Sequence, residues 1–419
     1  MKRLLIISNN VLSTTNNNGK TILSFIEGAE GLEVAQLYFS GELPRVRGYR
    51  YFQISDKDII RGLVSPSKRG REKQATAAAA DADDFSIRGR VGRNDLTLMI
   101  RDMLWNNKWE SPVLKQWLEA FSPDAILFVA GDALFAYPIC NAIRDKFQAR
   151  LTVYVTDDYI MPRTGEPFLH RMRRERIRKY LESTVTRADC FYTISGLMHD
   201  EYLREMKAES FIAVNFPDDL FIPDRREPEQ TVLTYTGSVY YGRAKILGEI
   251  AKILKRRNEQ DPGTRAILRI YCNRTPDDEQ MREMIIDGGS EYGGSLHREE
   301  LKQTLNESTL LVFAESFEQE QIEKTKYSLS TKVPEYLSVG RPILAIGPEG
   351  IGSIEYLKDV SFCINDIREL EERILHVLAS GQDFEEKGKA AREKYLKNHN
   401  KKEQQRAFLH HVTGEDEPE

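Results

Sequence analysis

Residues 330–345 read Ser330-Thr331-Lys332-Val333-Pro334-Glu335-Tyr336-Leu337-Ser338-Val339-Gly340-Arg341-Pro342-Ile343-Leu344-Ala345. The pattern predicts a loop that feeds a helix and then a buried strand. Ser330 or Thr331 can serve as N-cap, because a hydroxyl accepts one of the amides that a first turn leaves unsatisfied. Pro334 is tolerated only in that first turn, where its missing N–H costs nothing. Gly340 ends the helix, and Pro342 opens the strand. Amides at such a helix start form a ready site for a diphosphate. Lys332 adds a point charge beside it, and Glu335, one turn in, can accept hydrogen bonds from two ribose hydroxyls. Taken alone, the stretch also reads as an ordinary capped helix with a solvated Glu335 and Lys332, so its surroundings decide.

Outward from it, short apolar runs alternate with amphipathic stretches, the pattern of βα units around a parallel sheet. Upstream in the same half, strands are expected at Val232–Thr236, Ala266–Cys272 and Thr309–Ala314. Helices are expected at Lys245–Arg256 and Glu299–Leu305. The first half repeats the rhythm, with strands at Leu4–Ser8, Leu32–Tyr38, Ala125–Val129, Leu151–Val155 and Cys190–Ile194. Its helices fall at Leu114–Phe121, Leu134–Asp145 and Gly196–Met206, the last with Ser195 as N-cap. The expectation is an α/β protein of two doubly wound, Rossmann-like lobes: 1–214, 215–386, and a C-terminal helix from 387 that packs back on the first lobe. A linker composition covers Asn215 to Pro228. A polar insertion over about 56–93 breaks the rhythm, with Lys68-Arg69-Gly70-Arg71, Ala77–Ala80 and Arg88-Gly89-Arg90; it reads as disordered or as a lid. Gly414–Glu419 reads as a disordered tail.

The 419 residues suit two domains, with 40% hydrophobic and 30% charged residues, as in soluble globular proteins. A net charge of −5 argues against nucleic acid as partner. Cys140, Cys190, Cys272 and Cys363 lie far apart and apolar-flanked, so they read as core fillers in a reducing cytoplasm. The apolar run after Met1-Lys2-Arg3 stops at Ser8, too short for a signal sequence, and none approaches the roughly 18 residues that span a bilayer. Seven histidines show no metal-ligand spacing, and no Gly-x-Ser-x-Gly elbow is present; hydrolase and zinc readings lack support.

The run from Ser330 to Ala345 resembles the donor-site helix of GT-B glycosyltransferases, especially the retaining family 4 group. Other stretches resemble that group in the same order. They are Asp189-Cys190-Phe191-Tyr192-Thr193-Ile194-Ser195, Asn215-Phe216-Pro217 with Phe221-Ile222-Pro223, Tyr235-Thr236-Gly237-Ser238, and Ser290-Glu291-Tyr292-Gly293-Gly294. The resemblance implies a GT-B fold with a deep interdomain cleft, and a nucleoside-diphosphate sugar, UDP- or GDP-linked, held by the C-terminal lobe. Glu335 would hold the ribose. Amides near Ser330, Thr331 and Lys332, the Gly237-Ser238 turn, and Arg243 or Lys245 would hold the diphosphate. Tyr327 stands where many members carry a second glutamate, and Ser238 where they carry an arginine.

In the first lobe, the loop Asn9–Lys20 contains Asn18-Gly19-Lys20-Thr21. The glycine of a Walker loop is missing at Thr14, so a flexible donor- and acceptor-facing loop with Gly19 and Asn18 fits better, with a polar helix cap as the alternative. Asp157 and Asp158 follow a strand at the sheet edge where α/β sites form, and are candidate catalytic carboxylates; Asp132 is a weaker acceptor-binding candidate. The alternative is a solvated turn. The basic stretch 170–181 reads as a solvated helix face or as a contact to an anionic membrane surface. The implied function is hexosyl transfer to a hydroxyl of a glycan or lipid-linked acceptor, with retention, without metal or separate cofactor, in bacterial polysaccharide or glycoconjugate assembly. The implied location is cytoplasmic, with the inner membrane face as a variant. The alternatives are a nucleotide-sugar epimerase of the same fold and a non-catalytic GT-B partner protein.

Overall fold

The structure, a computed structural model, describes residues 1–14, 17–62, 65, 69–76, 95–106, 108–223 and 227–414. The insertion expected as disorder or a lid holds regular elements where it is described, a helix at Asp56–Arg61 and a strand at Arg71–Lys73, while its alanine-rich part and the terminal 415–419 lie outside the described residues. Contacts divide the chain into two units, Met1–Asn215 with Gln405–Glu419, and Phe216–Gln404.

The first unit runs β1 (Lys2–Ser8), α1 (Asn17–Ile26), β2 (Leu32–Tyr38), β3 (Arg50–Gln53), α2 (Asp56–Arg61), β4 (Arg71–Lys73), α3 (Asp95–Trp105) and α4 (Pro112–Phe121). It continues with β5 (Ala125–Ala130), α5 (Ala136–Phe147), β6 (Arg150–Val155), α6 (Phe168–Val185), β7 (Cys190–Thr193), α7 (Gly196–Met206) and β8 (Phe211–Ile212). Its sheet has the order β4-β3-β2-β1-β5-β6-β7-β8. Every pair is parallel except β3 with β4. β5 is buried along its whole length, which is why Ala125–Ala130 is uniformly apolar rather than alternating. The edges are short, and β4 is charged (Arg71-Glu72-Lys73), features that blunt edge-to-edge pairing. Ser195 caps α7 through its hydroxyl, which accepts the amide of Met198 at 3.1 Å.

The second unit runs β9 (Thr231–Thr236), α8 (Arg243–Gln260), β10 (Ala266–Tyr271), α9 (Asp278–Met284), β11 (Ser290–Gly294), α10 (Arg298–Asn306) and β12 (Leu310–Ala314). Then follow α11 (Gln319–Thr325), α12 (Lys332–Val339), β13 (Ile343–Ile346), α13 (Gly352–Leu357), β14 (Phe362–Ile364), α14 (Leu370–Ala379) and α15 (Phe384–Asn398). The sheet order is β11-β10-β9-β12-β13-β14, all parallel. Leu233, Tyr235, Leu268, Ile270, Val312 and Leu344 from the strands meet Leu247, Ile250 and Leu254 of α8 in its core. The linker composition from Asn215 is tied down here: Leu220 N donates to Ser338 Oγ at 3.3 Å, its carbonyl accepts from Asn306 Nδ2 at 2.7 Å, and Asp219 pairs with Arg392.

The C-terminal helix expected from 387 is two helices, α15 and α16 (Lys401–Thr413). α15 belongs to the second unit, and the division between units falls inside α16. From Gln405 onward α16 packs in the first unit, where Phe408 lies 4.4 Å from the ring of Phe25 and 5.0 Å from that of Tyr192. The break at His399-Asn400 is not visible in the charge pattern, because both helices are lysine-rich.

In both sheets the chain reverses direction of winding beside the first strand: between β1 and β5, and between β9 and β12. Ligands of open α/β sheets bind outside the carboxyl ends of the strands at such switch points.

Candidate functional site

At the second switch point, the loop after β9 makes a turn at Gly237, whose amide donates to Tyr271 O at 2.8 Å. Gly237 has φ +127°, and a Cβ there would stand 2.6 Å from Lys332 Cδ, so only glycine fits. The Lys332 side chain therefore lies against this turn. Its Nζ donates to the Tyr235 hydroxyl at 2.9 Å and sits 4.3 Å from that ring's centroid and 5.5 Å from that of Phe313, two cation–π contacts. The Tyr235 hydroxyl gives its own proton to the Ser238 carbonyl. Burial, reinforced by the nearby Arg243 guanidinium, pushes the Lys332 pKa down to about 7.

α12 begins as the pattern predicts, but its cap differs. Thr331 is already in helical geometry and makes no side-chain cap bond; the Ser330 hydroxyl accepts the Lys332 amide at 3.4 Å instead. Ser330 N donates to Ser353 Oγ at 2.9 Å, which fixes the loop. Pro334 sits in the first turn and Glu335 beside it is buried, not solvated. Gly340 closes the helix in left-handed geometry. Tyr327 lies before this turn with Lys326 Nζ 5.0 Å from its ring.

Arg243 and Lys245 separate. Two positions apart on a helix they point about 200° apart around the axis, so they cannot serve one phosphate together. Arg243 is buried, donates from Nη2 to Glu315 Oε1 and Oε2 at 2.8 and 2.9 Å, and from Nε to the Ala314 carbonyl at 3.2 Å. Burial works against its charge, but the Glu315 carboxylate more than offsets this and raises its pKa. Lys245 is exposed and paired with Glu318 at 2.7 Å. It lines a cavity of about 260 Å³ with Tyr240, Tyr241, Asp277, Glu283 and Glu318. Ser238 accepts the Tyr240 amide at its hydroxyl, 3.3 Å away. Glu315 and Glu318, which follow β12, thus supply partners to both Arg243 and Lys245. Glu315 and Tyr235 were not singled out from the sequence. Position could have flagged Glu315, since it is the first charged residue after a buried strand, at the sheet's carboxyl edge.

In the first unit, Gly19 lies inside the first turn of α1 rather than in the loop before it. A Cβ at Gly19 would stand 2.5 Å from the Val11 carbonyl oxygen, so its smallness serves the close packing of α1 on its own preceding loop. Asn18 Nδ2 reaches Asp157 Oδ2 at 3.5 Å, where Tyr159 OH at 3.5 Å and Thr156 Oγ1 at 3.4 Å also converge. Asp158 turns away into structure. Its Oδ1 accepts the amides of Ile160 and Met161 and the Tyr202 hydroxyl, all at 3.1 Å, and burial raises its pKa. Asp157 and Asp158 are therefore not equivalent: Asp158 pins the turn. Asp132 offers its carbonyl to Arg173, which also pairs with the buried Asp102 at 3.4 Å.

On α6, Arg173, Arg174 and Arg178 are taken by internal partners: Asp102, Glu166, and Glu182 with Glu205. Arg171, Arg176 and Lys179 are exposed, as are Phe168, Leu169 and Met172. Among the described residues, no helix is long and apolar enough to cross a membrane, and no three His, Cys, Asp or Glu side chains form a metal-binding group.

No protein-family model matches the chain, and no curated protein matches it in sequence. Solved structures match it along its length. A glycosyltransferase from Rickettsia africae ESF-5 gives a TM-score of 0.62 at 10% identity, covering 99% of this chain and 98% of that one. The trehalose-6-phosphate protein from E. coli bound with UDP-2-fluoro glucose gives 0.60 at 12% identity, covering 99% and 100%. The UDP-forming alpha,alpha-trehalose-phosphate synthase from Burkholderia xenovorans, in complex with glucose-6-phosphate, gives 0.58 at 12% identity, covering 98% and 100%. With two mostly parallel, doubly wound sheets in tandem and these matches over its whole length, the chain has the GT-B fold of glycosyltransferases.

Proposed function

We propose that the protein is a glycosyltransferase that moves a hexosyl unit from a UDP- or GDP-linked sugar to a hydroxyl acceptor. One observation carries the reading: at the second sheet's switch point, a glycine turn, a half-buried lysine and the first turn of α12 with its buried Glu335 come together. Amides of α12 and Lys332 meet the diphosphate, and Glu335 takes the ribose. The leaving diphosphate is stabilised by these fixed dipoles and charges, without a metal. Asp157, with Asn18 and Tyr159, is the acceptor-side carboxylate. Retention follows from the family 4 resemblance of 330–345. A sugar phosphate, as in the Burkholderia complex, joins glycan and lipid-linked acceptors as a candidate.

A thermal-shift panel of nucleoside diphosphates tests the donor claim, because a ligand at about 100 times its Kd stabilises the folded state by about 2.7 kcal/mol. UDP or GDP is expected to raise the transition. No shift with any nucleoside diphosphate would remove the reading. The pairing of Arg243 and Lys245 with Glu315 and Glu318 supports a second reading, a nucleotide-binding protein without transfer. Binding without turnover of any UDP- or GDP-sugar would select it. Exposed Phe168, Leu169 and Met172 beside Arg171, Arg176 and Lys179 support contact of α6 with an anionic membrane face. Equal sedimentation with vesicles of neutral and anionic lipid would overturn that contact.

A further inference from the structure

Lys332 sits among groups that supply little negative charge. From β9, Tyr235 faces it with a hydroxyl whose proton is given to Ser238 O, so the oxygen only accepts. Burial holds that phenol's pKa far above its usual value, which keeps it neutral. Beyond β10, the Cys272 thiol is pushed up to about 11 by burial. From α8 comes a second cation, Arg243, and the Glu315 carboxylate after β12, which also acts on Lys332, accepts from Arg243 at both oxygens. On its own helix Lys332 has Glu335, whose carboxyl also acts on it. Lys332, half-buried against the Gly237 turn, thus feels the Arg243 guanidinium, while Glu315 is already hydrogen-bonded to that guanidinium. A cation so placed costs desolvation that rings and a hydroxyl only partly repay.

We propose that nucleoside-diphosphate binding to the second unit takes up a proton from solvent, and that Lys332 is the group that receives it. The proposal rests on the donor-site reading above. The amine –NH₂ gains a proton to become –NH₃⁺, no covalent bond to phosphate forms, and the diphosphate supplies a further counter-charge. Affinity then falls as pH rises above about 7, by up to about tenfold per unit until the pKa of the bound state is reached.

The test is calorimetry of UDP and GDP binding in Tris and in HEPES, whose ionisation enthalpies differ. It is run at about pH 8, above the phosphate's own ionisation near 6. The expected result is a buffer-dependent heat equivalent to uptake of close to one proton. Lys332→Arg, whose guanidinium does not titrate, should bind with a buffer-independent heat. Lys332→Met should bind at least tenfold more weakly. Wild-type binding with equal heats in both buffers would overturn the proton uptake while leaving the nucleotide site standing. Uptake that persists in Lys332→Arg would overturn the assignment to Lys332. No binding heat with either nucleotide would sink the donor-site reading and this inference with it.

Discussion

Glu335 and Lys332 lie three positions apart at the start of α12, one buried and the other folded against Gly237. Replacing Glu335 by alanine should weaken UDP or GDP binding at least tenfold, since a carboxylate hydrogen-bonded to hydroxyls contributes about 1.5–3 kcal/mol. Titration of the variant checks it, and unchanged affinity would remove Glu335 from the site. His399 carries a pH prediction of its own. Burial, with Lys394 nearby, pulls its pKa down to about 4 from an unfolded value near 6.5. The unfolded chain binds the extra proton first, so this contribution is complete above about pH 6.5 and is lost as pH falls towards 4, on the order of 3 kcal/mol in all. His399→Phe should flatten that part of the stability curve, because Tyr356 keeps Asn398 as a donor at 3.1 Å. A curve of unchanged slope would discount His399. The first-turn proline and the closing glycine of α12 were legible because such signals act within four residues. The pairing of Arg243 with Glu315, 72 positions apart, was not.

At the scale of elements, the central strands announced themselves, since buried parallel strands must be apolar runs, whereas the short β3, β4, β8 and β14 did not. Nor did the start of α16 as a helix of its own, because the polar run of α15 continues through its residues 401–406. Its role comes from what it touches: Phe25, Tyr192, and the Tyr192 hydroxyl, 2.6 Å from His411 Nδ1. Phe408→Ala should cost about 3–5 kcal/mol, the usual range for emptying a buried aromatic site. Chemical denaturation monitored on the first unit would show it, and a loss below about 1 kcal/mol would mean that α16 merely rests there. α6 teaches the opposite lesson. Its run of arginines reads as one basic surface, yet three of them are internal ties. Sequence shows charge; only packing shows whether a partner already holds it.

For the whole molecule, local signals were enough to determine the class of fold. Apolar runs alternating with amphipathic stretches demand parallel sheets covered by helices, and doing so twice in one chain demands two such bodies. The sequence also marked the start of α12, because capping, proline and glycine rules act over a single turn. Strand order was beyond it, since β1 beside β5, and β9 beside β12, are pairings across long separations. That order places both switch points, and hence both candidate sites. The tertiary structure alone decided the contacts there: which of Asp157 and Asp158 is tied into a turn, which cations already have carboxylates, and that Lys332 lies under Gly237. Charge and hydrogen bonding depend on distance in space, and residues distant in sequence set those distances.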